Sequence, residues 1–308
     1  MAQVIRGGGK GVAFEVVTTP EEGLRFKHFA QTTTAVVGYA VRDGDDVYPL
    51  PGSGTIVRLA NRDFLFTAGH NIEDCKNEDV WIGFMGNGRD AVRLQPASGA
   101  GSSFIRPNPD DPDVAVIELP PARRSDWQAV EPFLPEDLAL AESVGPSDCV
   151  LLCGCPGKAS PPPGQVLLDD GTRVPHLIAT AVPFSTAMAL TVSAALESKL
   201  TEGQFCIVYC TSIGEAGDEA YVPPFGYSGG PVISVADGRR TLIGLAQAVA
   251  HDDDGPYMVC EPIWRALQFL RHYHPDAKVK AEAHQTLVSM GAPLGQRRRP
   301  RATSETQD

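Results

Sequence analysis

The stretch Phe225-Gly-Tyr-Ser-Gly-Gly-Pro-Val232 places one hydroxyl, that of Ser228, among three glycines. Glycine has no Cβ, so the backbone can turn tightly here and approach another group closely. A serine hydroxyl becomes a good nucleophile only beside a base, and N–H donors must hold the oxyanion that forms when it attacks a carbonyl. The stretch therefore makes Ser228 a candidate nucleophile, although glycine-rich turns that contain serine also occur as simple turns.

Two upstream segments supply the other residue types that such a serine needs. Arg62-Asp-Phe-Leu-Phe-Thr-Ala-Gly-His70 is an apolar run that ends in small residues and a histidine. Pro112-Asp-Val-Ala-Val-Ile-Glu-Leu119 places Asp113 directly before a run typical of a buried strand. Taken singly, His70 is also compatible with a hydrogen-bonded core histidine, and Asp113 with a turn residue after proline. Taken together, they put histidine, acid and serine in that order along the chain.

The three segments resemble the motifs of the trypsin-like (chymotrypsin-fold) serine peptidases: Thr-Ala-[Ala/Gly]-His, Asp-[Ile/Val]-Ala-[Leu/Val] and Gly-x-Ser-Gly-Gly-Pro. The resemblance covers residues 33–272 and is to the intracellular bacterial or viral type. It implies that Ser228 is the nucleophile, His70 the general base and then acid, and Asp113 the group that orients the imidazole. The implied fold class is all-β, with two six-stranded antiparallel β-barrels and a C-terminal helix.

The resemblance also implies an oxyanion hole, formed by the backbone amides of Gly226 and Ser228. Asp110 and Asp111 are neighbouring candidates for the acid, but only Asp113 directly precedes the Val-Ala-Val-Ile run. We therefore assign the acid to Asp113.

A second enzyme class matches the same serine, because Gly226-Tyr-Ser-Gly-Gly230 fits the Gly-x-Ser-x-Gly elbow of α/β-hydrolases. That elbow needs a helix immediately after the serine, with the acid and histidine later in the chain. Here the serine is followed by proline and the β-rich run Val232-Ile-Ser-Val235, which disfavours a helix. The hydrolase alternative rests on the later histidines, His251, His272 and His274.

Short β-rich runs, separated by turn residues, recur on both sides of a proline-rich segment and predict barrels or sandwiches. The resemblance places His70 and Asp113 in the first barrel and Ser228 in the second, with the active site in the cleft between them. The predicted organisation is a lead-in (1–32), a first barrel (33–120), a connector (121–145), a second barrel (146–260), a closing helix (261–276) and a disordered tail (277–308).

By the same resemblance, two segments form the walls of the primary specificity pocket: Tyr221-Val-Pro-Pro224 and Leu245-Ala-Gln-Ala-Val249. Neither contains an acid that would suit a basic side chain, so we expect a small or medium apolar residue at the cleaved position. His251 at the rim gives an alternative preference for acidic side chains. The implied substrate-binding residues are Val222, Ala246, Gln247, Ala248 and Val249.

The composition of the chain disfavours two other kinds of function, the binding of nucleic acid and the binding of an anionic membrane. The chain has 308 residues, with 26 Lys and Arg against 38 Asp and Glu, a net charge of −12. Such a charge disfavours binding to nucleic acid or to an anionic membrane. The sequence shows neither a secretory signal nor an apolar stretch long enough to cross a bilayer. We predict a cytoplasmic protein with a protein or peptide substrate, a regulatory protein partner and no cofactor.

Seven cysteines, an odd number, disfavour a disulfide framework. Cys149, Cys153 and Cys155 share parity on one predicted strand, and Cys206 and Cys210 do so on another. A zinc site between these strands is the alternative to buried thiols. Because zinc ligands normally come as closely spaced pairs on loops, we predict core thiols and no metal.

Tyr227 departs from the secreted members of the family, in which an aspartate before the nucleophile pairs with a newly cleaved N-terminal amine. We therefore expect no zymogen switch of that kind, and predict that a partner gates activity through residues 211–226. The alternative function, of a different class, is a catalytically inactive protein of the same fold that serves as a binding module.

Overall fold

The computed structural model describes residues 3–9, 12–43, 46–73, 75–77, 80–84, 92–93, 95–97, 102–121, 124, 130–145, 148–155, 164–167, 173–177, 182–186, 189, 192–209, 226–236, 238–252 and 255–294. Its strands are β1 (Gln3–Gly9), β2 (Val12–Thr18), β3 (Thr34–Asp43), β4 (Asp46–Leu59), β5 (Arg62–Ala68), β6 (Val80–Phe84), β7 (Val92–Arg93), β8 (Gln95–Pro96), β9 (Ser103–Ile105), β10 (Val114–Leu119), β11 (Cys149–Gly154), β12 (Gly164–Leu167), β13 (Arg173–Leu177), β14 (Val182–Thr186), β15 (Phe205–Val208), β16 (Pro231–Ala236), β17 (Arg239–Asp252) and β18 (Gly255–Pro262). Its helices are α1 (Pro20–Thr33), α2 (Ala194–Glu197), α3 (Ile263–Tyr273) and α4 (Ala277–Met290).

Two antiparallel sheets make up most of the described chain. The first has the strand order β8-β6-β3-β4-β5-β10-β9 and the second β14-β11-β16-β17-β18-β15. Smaller sheets join β12, β13 and β7, and pair β1 with β2. The protein is thus mostly β, and the arrangement is consistent with the predicted chymotrypsin-like fold. The first sheet has seven strands rather than the six expected, because the two-residue β8 extends its edge. Two closed six-stranded barrels are not confirmed within the described residues.

The pairing of β5 with β10 positions the ends of both strands. Val116 lies opposite Phe66, and Val114 opposite Ala68, in antiparallel register. Alternate side chains pack into two different cores, so both faces of these apolar strands are buried. The residues directly after β5 and directly before β10 consequently lie next to each other.

Strand β11 divides its side chains between two cores, one of which also contains residues of the first half. Val150 and Leu152 pack on one side, whereas Cys149, Cys153 and Cys155 lie together on the other, as their parity predicts. Burial raises the pKa of Cys149 to about 11 and that of Cys155 to about 12, so these thiols stay protonated at neutral pH. No three His, Cys, Asp or Glu side chains are grouped for a metal ion in the described part of the chain, which does not include Cys210.

Helix α4 corrects the prediction of a disordered tail from residue 277. Its N-cap Asp276 accepts a hydrogen bond from the Lys278 N–H, and it ends at Gly291 in the left-handed conformation. The polar composition conceals a narrow apolar stripe at a spacing of four residues, and this stripe packs into the core: Val279, Ala283 and Leu287. Residues 295–308, including the arginine-rich segment, lie outside the described residues.

The other two long helices pack on the body of the protein. Helix α3 buries the residues whose spacing predicts a helix: Ile263, Ala266, Leu267 and Leu270. Helix α1 lies within the lead-in and begins with a capping box between Thr19 and Glu22. No helix in the described ranges has the length and apolarity needed to span a bilayer.

Neighbouring backbone approaches Gly229 and Gly230 closely. A Cβ on Gly230 would lie 2.1 Å from the carbonyl oxygen of Cys153, and one on Gly229 would lie 2.2 Å from that of Ser53. Gly230→Ala is therefore expected to lower the free energy of unfolding by about 1–3 kcal/mol or more, because backbone would have to move. Urea denaturation measures this. Gly23→Ala is the control, because that site is helical and open and should gain about 0.5–1 kcal/mol.

Candidate active site

His70 and Asp113 meet where β5 ends and β10 begins. A 3-10 turn, Gly69–Asn71, follows β5 and carries the histidine. The Nδ1 atom of His70 lies 2.7 Å from Oδ2 of Asp113, and the His70 backbone N–H donates to Oδ1 at 2.9 Å. The Gly69 N–H donates to the Asp113 carbonyl oxygen at 3.2 Å. Both carboxylate oxygens therefore hold the histidine, one through its ring and one through its backbone.

The electrostatics of this pair favour a protonated ring beside an ionised carboxylate. The hydrogen bond to Asp113 raises the pKa of His70, against the lowering effect of burial, and the charges of Asp113 and Glu73 add to the increase. Burial by itself would raise the pKa of Asp113, but the hydrogen bonds and charge of His70 outweigh it and hold that pKa below its usual value. The two side chains are 42% and 40% exposed, so solvent moderates both shifts.

The neighbouring Asp111 is engaged elsewhere. Its Oδ2 accepts hydrogen bonds from the Asn108 backbone N–H at 2.9 Å and the Tyr273 hydroxyl at 2.7 Å. The carboxylate thus closes its own turn and contacts the end of α3. Of these two acids, only Asp113 contacts the histidine.

Ser228 lies in a turn that leads directly into a strand. Gly226 and Gly229 have φ angles of +99° and +84°, which glycine adopts without strain. The Gly230 N–H donates to the carbonyl of Tyr227 at 2.8 Å, and β16 begins at the next residue. A strand where an α/β-hydrolase needs a helix excludes the nucleophile-elbow alternative.

Gln247 joins the serine to the acid. The Ser228 hydroxyl donates to the carbonyl oxygen of Gln247 at 2.8 Å, and the Gln247 side-chain Nε2 donates to the carbonyl oxygen of Asp113 at 2.8 Å. Gln247 is buried and lies in a register shift of β17, between the pairs formed by Ala246 and Ala248 with β18. Within the described residues, the Ser228 hydroxyl makes no hydrogen bond to the ring of His70.

The carbonyl groups of the Ser228 turn point into the first half of the protein. The Ser53 hydroxyl donates to the Gly226 carbonyl at 2.5 Å, and the Ser53 N–H donates to the Ser228 carbonyl at 2.8 Å. The Thr55 hydroxyl donates to the Gly229 carbonyl at 3.2 Å. Neither the Gly226 nor the Ser228 N–H has an acceptor among the described residues. The amides expected to form an oxyanion hole are therefore free of competing protein acceptors there.

The expected substrate-binding residues differ in position. Ala246 is buried in a core, Gln247 faces Asp113, Ala248 is exposed and Val249 is half-buried. Val222, together with the expected gating segment up to residue 225, lies outside the described residues. The other expected wall of the pocket, residues 246–249, is described, and none of its side chains is acidic or basic.

Tyr227 is a core residue. Its ring packs edge to face on Tyr209 at 6.5 Å between centroids, and Gly154 makes room for it, since a Cβ there would lie 2.5 Å from the ring. Burial raises the pKa of the phenol, which therefore stays neutral. A neutral ring at this position cannot form the ion pair with an N-terminal amine that an aspartate would form.

Comparison with known proteins finds likeness at the level of solved structures. No family model matches the chain, and no curated protein matches it. Among solved structures, the chain is similar to the apo MamO protease domain from Magnetospirillum magneticum, with a TM-score of 0.41 and 15% sequence identity. The match covers 76% of this chain and 94% of that one.

Proposed function

We propose that this protein is a serine endopeptidase of the trypsin-like type, which hydrolyses protein or peptide substrates through an acyl-enzyme on Ser228. The observation that carries the proposal is the two-point hold of Asp113 on His70, 2.7 Å to the ring and 2.9 Å to the backbone N–H. Such a hold fixes the orientation and tautomer of an imidazole that acts as a base. The same half of the protein also binds the Ser228 turn through Ser53 and Thr55.

Each group has a defined role in the proposed reaction. With Nδ1 donating to Asp113, the Nε2 atom of neutral His70 is the free acceptor and takes the Ser228 proton. The Ser228 oxygen then attacks the peptide carbonyl, and the Gly226 and Ser228 amides hold the oxyanion. His70 returns its proton to the leaving amine, and water releases the acyl group by the same route. To begin, the hydroxyl must rotate away from the Gln247 carbonyl.

The rate of acylation is expected to rise with pH along a single titration, because only neutral His70 can accept the proton. The midpoint of this titration should lie above the ordinary pKa of histidine, since Asp113 raises the pKa of His70. The pH dependence of labelling by a fluorophosphonate measures it, and a flat profile contradicts the assignment. By linkage, this raised pKa adds stability below the histidine pKa of the unfolded chain, and the gain is lost as pH rises through the folded value.

A second candidate function is a binding module of the same fold without catalysis. One observation favours it, namely that the Ser228 hydroxyl donates to the Gln247 carbonyl instead of to His70. In that case the hydroxyl would be a structural hydrogen-bond donor of the turn, and the protein would bind a partner without cleaving it.

A fluorophosphonate probe, which modifies only an activated serine, separates the two functions. We expect labelling of the full chain at Ser228, located by peptide mass spectrometry, and none in Ser228→Ala. Ser234→Ala is the matched control, because this largely buried serine lies on β16 away from the turn. No labelling of the wild type in any state would support the binding module.

We also propose a cytoplasmic location and a regulatory partner. Cleavage of casein at full rate by the purified chain alone would count against the partner.

A further inference from the structure

We propose that Asn71 is a positioning residue that fixes the turn of the nucleophile to the turn of the base. The inference rests on the proposed peptidase function and assigns a role to the residue that directly follows His70. Asn71 lies in the same 3-10 turn as His70, and its side chain reaches across to the other half of the protein.

Both hydrogens of the Asn71 amide have acceptors. Nδ2 donates to the Ser228 carbonyl oxygen at 2.8 Å and to the Thr67 hydroxyl at 2.9 Å. The Thr67 hydroxyl in turn donates to the Ser53 carbonyl at 2.7 Å, and the Ser53 N–H donates to the Ser228 carbonyl. These four residues therefore form a closed ring of hydrogen bonds. A closed ring limits the freedom of each member more than a single bond would.

The backbone of Gly52 packs against the side-chain amide of Asn71 and confines it. A Cβ on Gly52 would lie 2.6 Å from Nδ2, 2.7 Å from Cγ and 2.9 Å from Oδ1 of Asn71. The amide plane therefore lies directly against the Gly52 backbone, in space that only glycine leaves open. This contact and the ring of hydrogen bonds together hold the Asn71 side chain in one orientation.

The peptide group after Ser228 is consequently held at both of its ends. Its carbonyl oxygen accepts from Asn71 and Ser53, and its N–H, that of Gly229, donates to the Ala246 carbonyl at 2.7 Å. With this peptide fixed, the hydroxyl of Ser228 can move mainly by rotation about its own Cα–Cβ bond. The rotation between the Gln247 carbonyl and His70 is then the one motion that the site needs.

The test compares Asn71→Ala and Asn71→Asp with the wild type in fluorophosphonate labelling of the full chain. We expect each to lower the rate by about 5- to 10-fold, the scale of one hydrogen bond. Asn71→Asp should lose at least as much as Asn71→Ala, because it keeps the shape but places a carboxylate oxygen against the Ser228 carbonyl. The midpoint of the pH–rate profile should stay within the wild-type range in Asn71→Ala, since the contact between His70 and Asp113 is intact.

Hydrogen exchange provides a readout that does not depend on activity. Faster exchange of the Gly229 amide is expected in both variants, with exchange in β5 and β10 unchanged. Asn77→Ala is the control, because this exposed asparagine contacts Arg106 and not the serine turn. Wild-type labelling and exchange in Asn71→Asp would overturn the proposal. If the wild type itself is not labelled, the peptidase function fails, and the exchange data alone decide whether Asn71 holds the turn.

Discussion

His70→Ala is expected to lower kcat for the hydrolysis of a peptide substrate by about 10⁶-fold, the scale seen when the base is removed from a catalytic triad. Without the imidazole, no side chain among the described residues is placed to accept the Ser228 proton, because the hydroxyl contacts the Gln247 carbonyl oxygen, which is not a base. Fluorophosphonate labelling of Ser228 should fall to the level of Ser228→Ala. The measurement is single-turnover kinetics with a peptide selected from a library on the wild type.

The variant should fold, which makes the result interpretable. The N–H of residue 70 still donates to Asp113, and the His70 side chain is 42% exposed rather than part of a core. His272→Ala is a matched control, because that histidine is exposed at the end of α3. Wild-type rates in His70→Ala would contradict the proposed mechanism, and an equal loss in His272→Ala would indicate a general effect on the fold.

The resemblance of the motifs implies the meeting of His70 and Asp113, and the structure gives its physical cause, because both residues flank apolar strands. An antiparallel pair with Ala68 opposite Val114 brings the residue after one strand next to the residue before the other. The same reasoning separates Asp113 from Asp111, which lies further from the strand and closes a turn. Local pattern therefore sufficed to choose Asp113 among the neighbouring acids, whereas its pairing with His70 came from the resemblance.

The residues that hold the Ser228 turn could not be predicted in this way. Ser53 contacts Gly226, Asn71 contacts Ser228, and the Gln247 amide contacts Asp113, across separations of 173, 157 and 134 residues. A short polar side chain in an apolar strand shows only that some partner exists. One signal for these contacts is present in the sequence, the stretch Gly52-Ser-Gly-Thr55, because small residues permit another backbone to approach closely.

Helix α4 was missed for a different reason. Lysine, glutamate, histidine and glutamine dominate its surface, and only a narrow stripe is apolar, so the composition resembles that of a solvated tail. The helix is held by tertiary contacts that leave no local trace, among them a hydrogen bond from the Ala60 N–H to Glu282 and an ion pair of Arg62 with Asp276. Local signals for the helix are also present, because its alanines, lysines and glutamate favour helix, and Asp276 and Gly291 cap its ends.

Asp113→Asn is expected to lower kcat by about 10⁴-fold at neutral pH, the scale known for this exchange in such a triad. An amide can donate a hydrogen bond where the carboxylate only accepts, which favours the His70 tautomer with its proton on Nε2. That tautomer cannot take the Ser228 proton. Losing the carboxylate also removes the main cause of the raised pKa of His70, so the midpoint of the pH–rate profile should move to lower pH.

The pH shift distinguishes a change at the base from a general loss of structure, because misfolding lowers the rate without moving the midpoint. Asp111→Asn is the matched control, since that carboxylate accepts from Asn108 and Tyr273 and has no contact with His70. It should keep the wild-type midpoint and rate. If Asp111→Asn showed the loss and Asp113→Asn did not, the acid would be Asp111. The 2.7 Å contact between His70 and Asp113 would then have no part in the reaction.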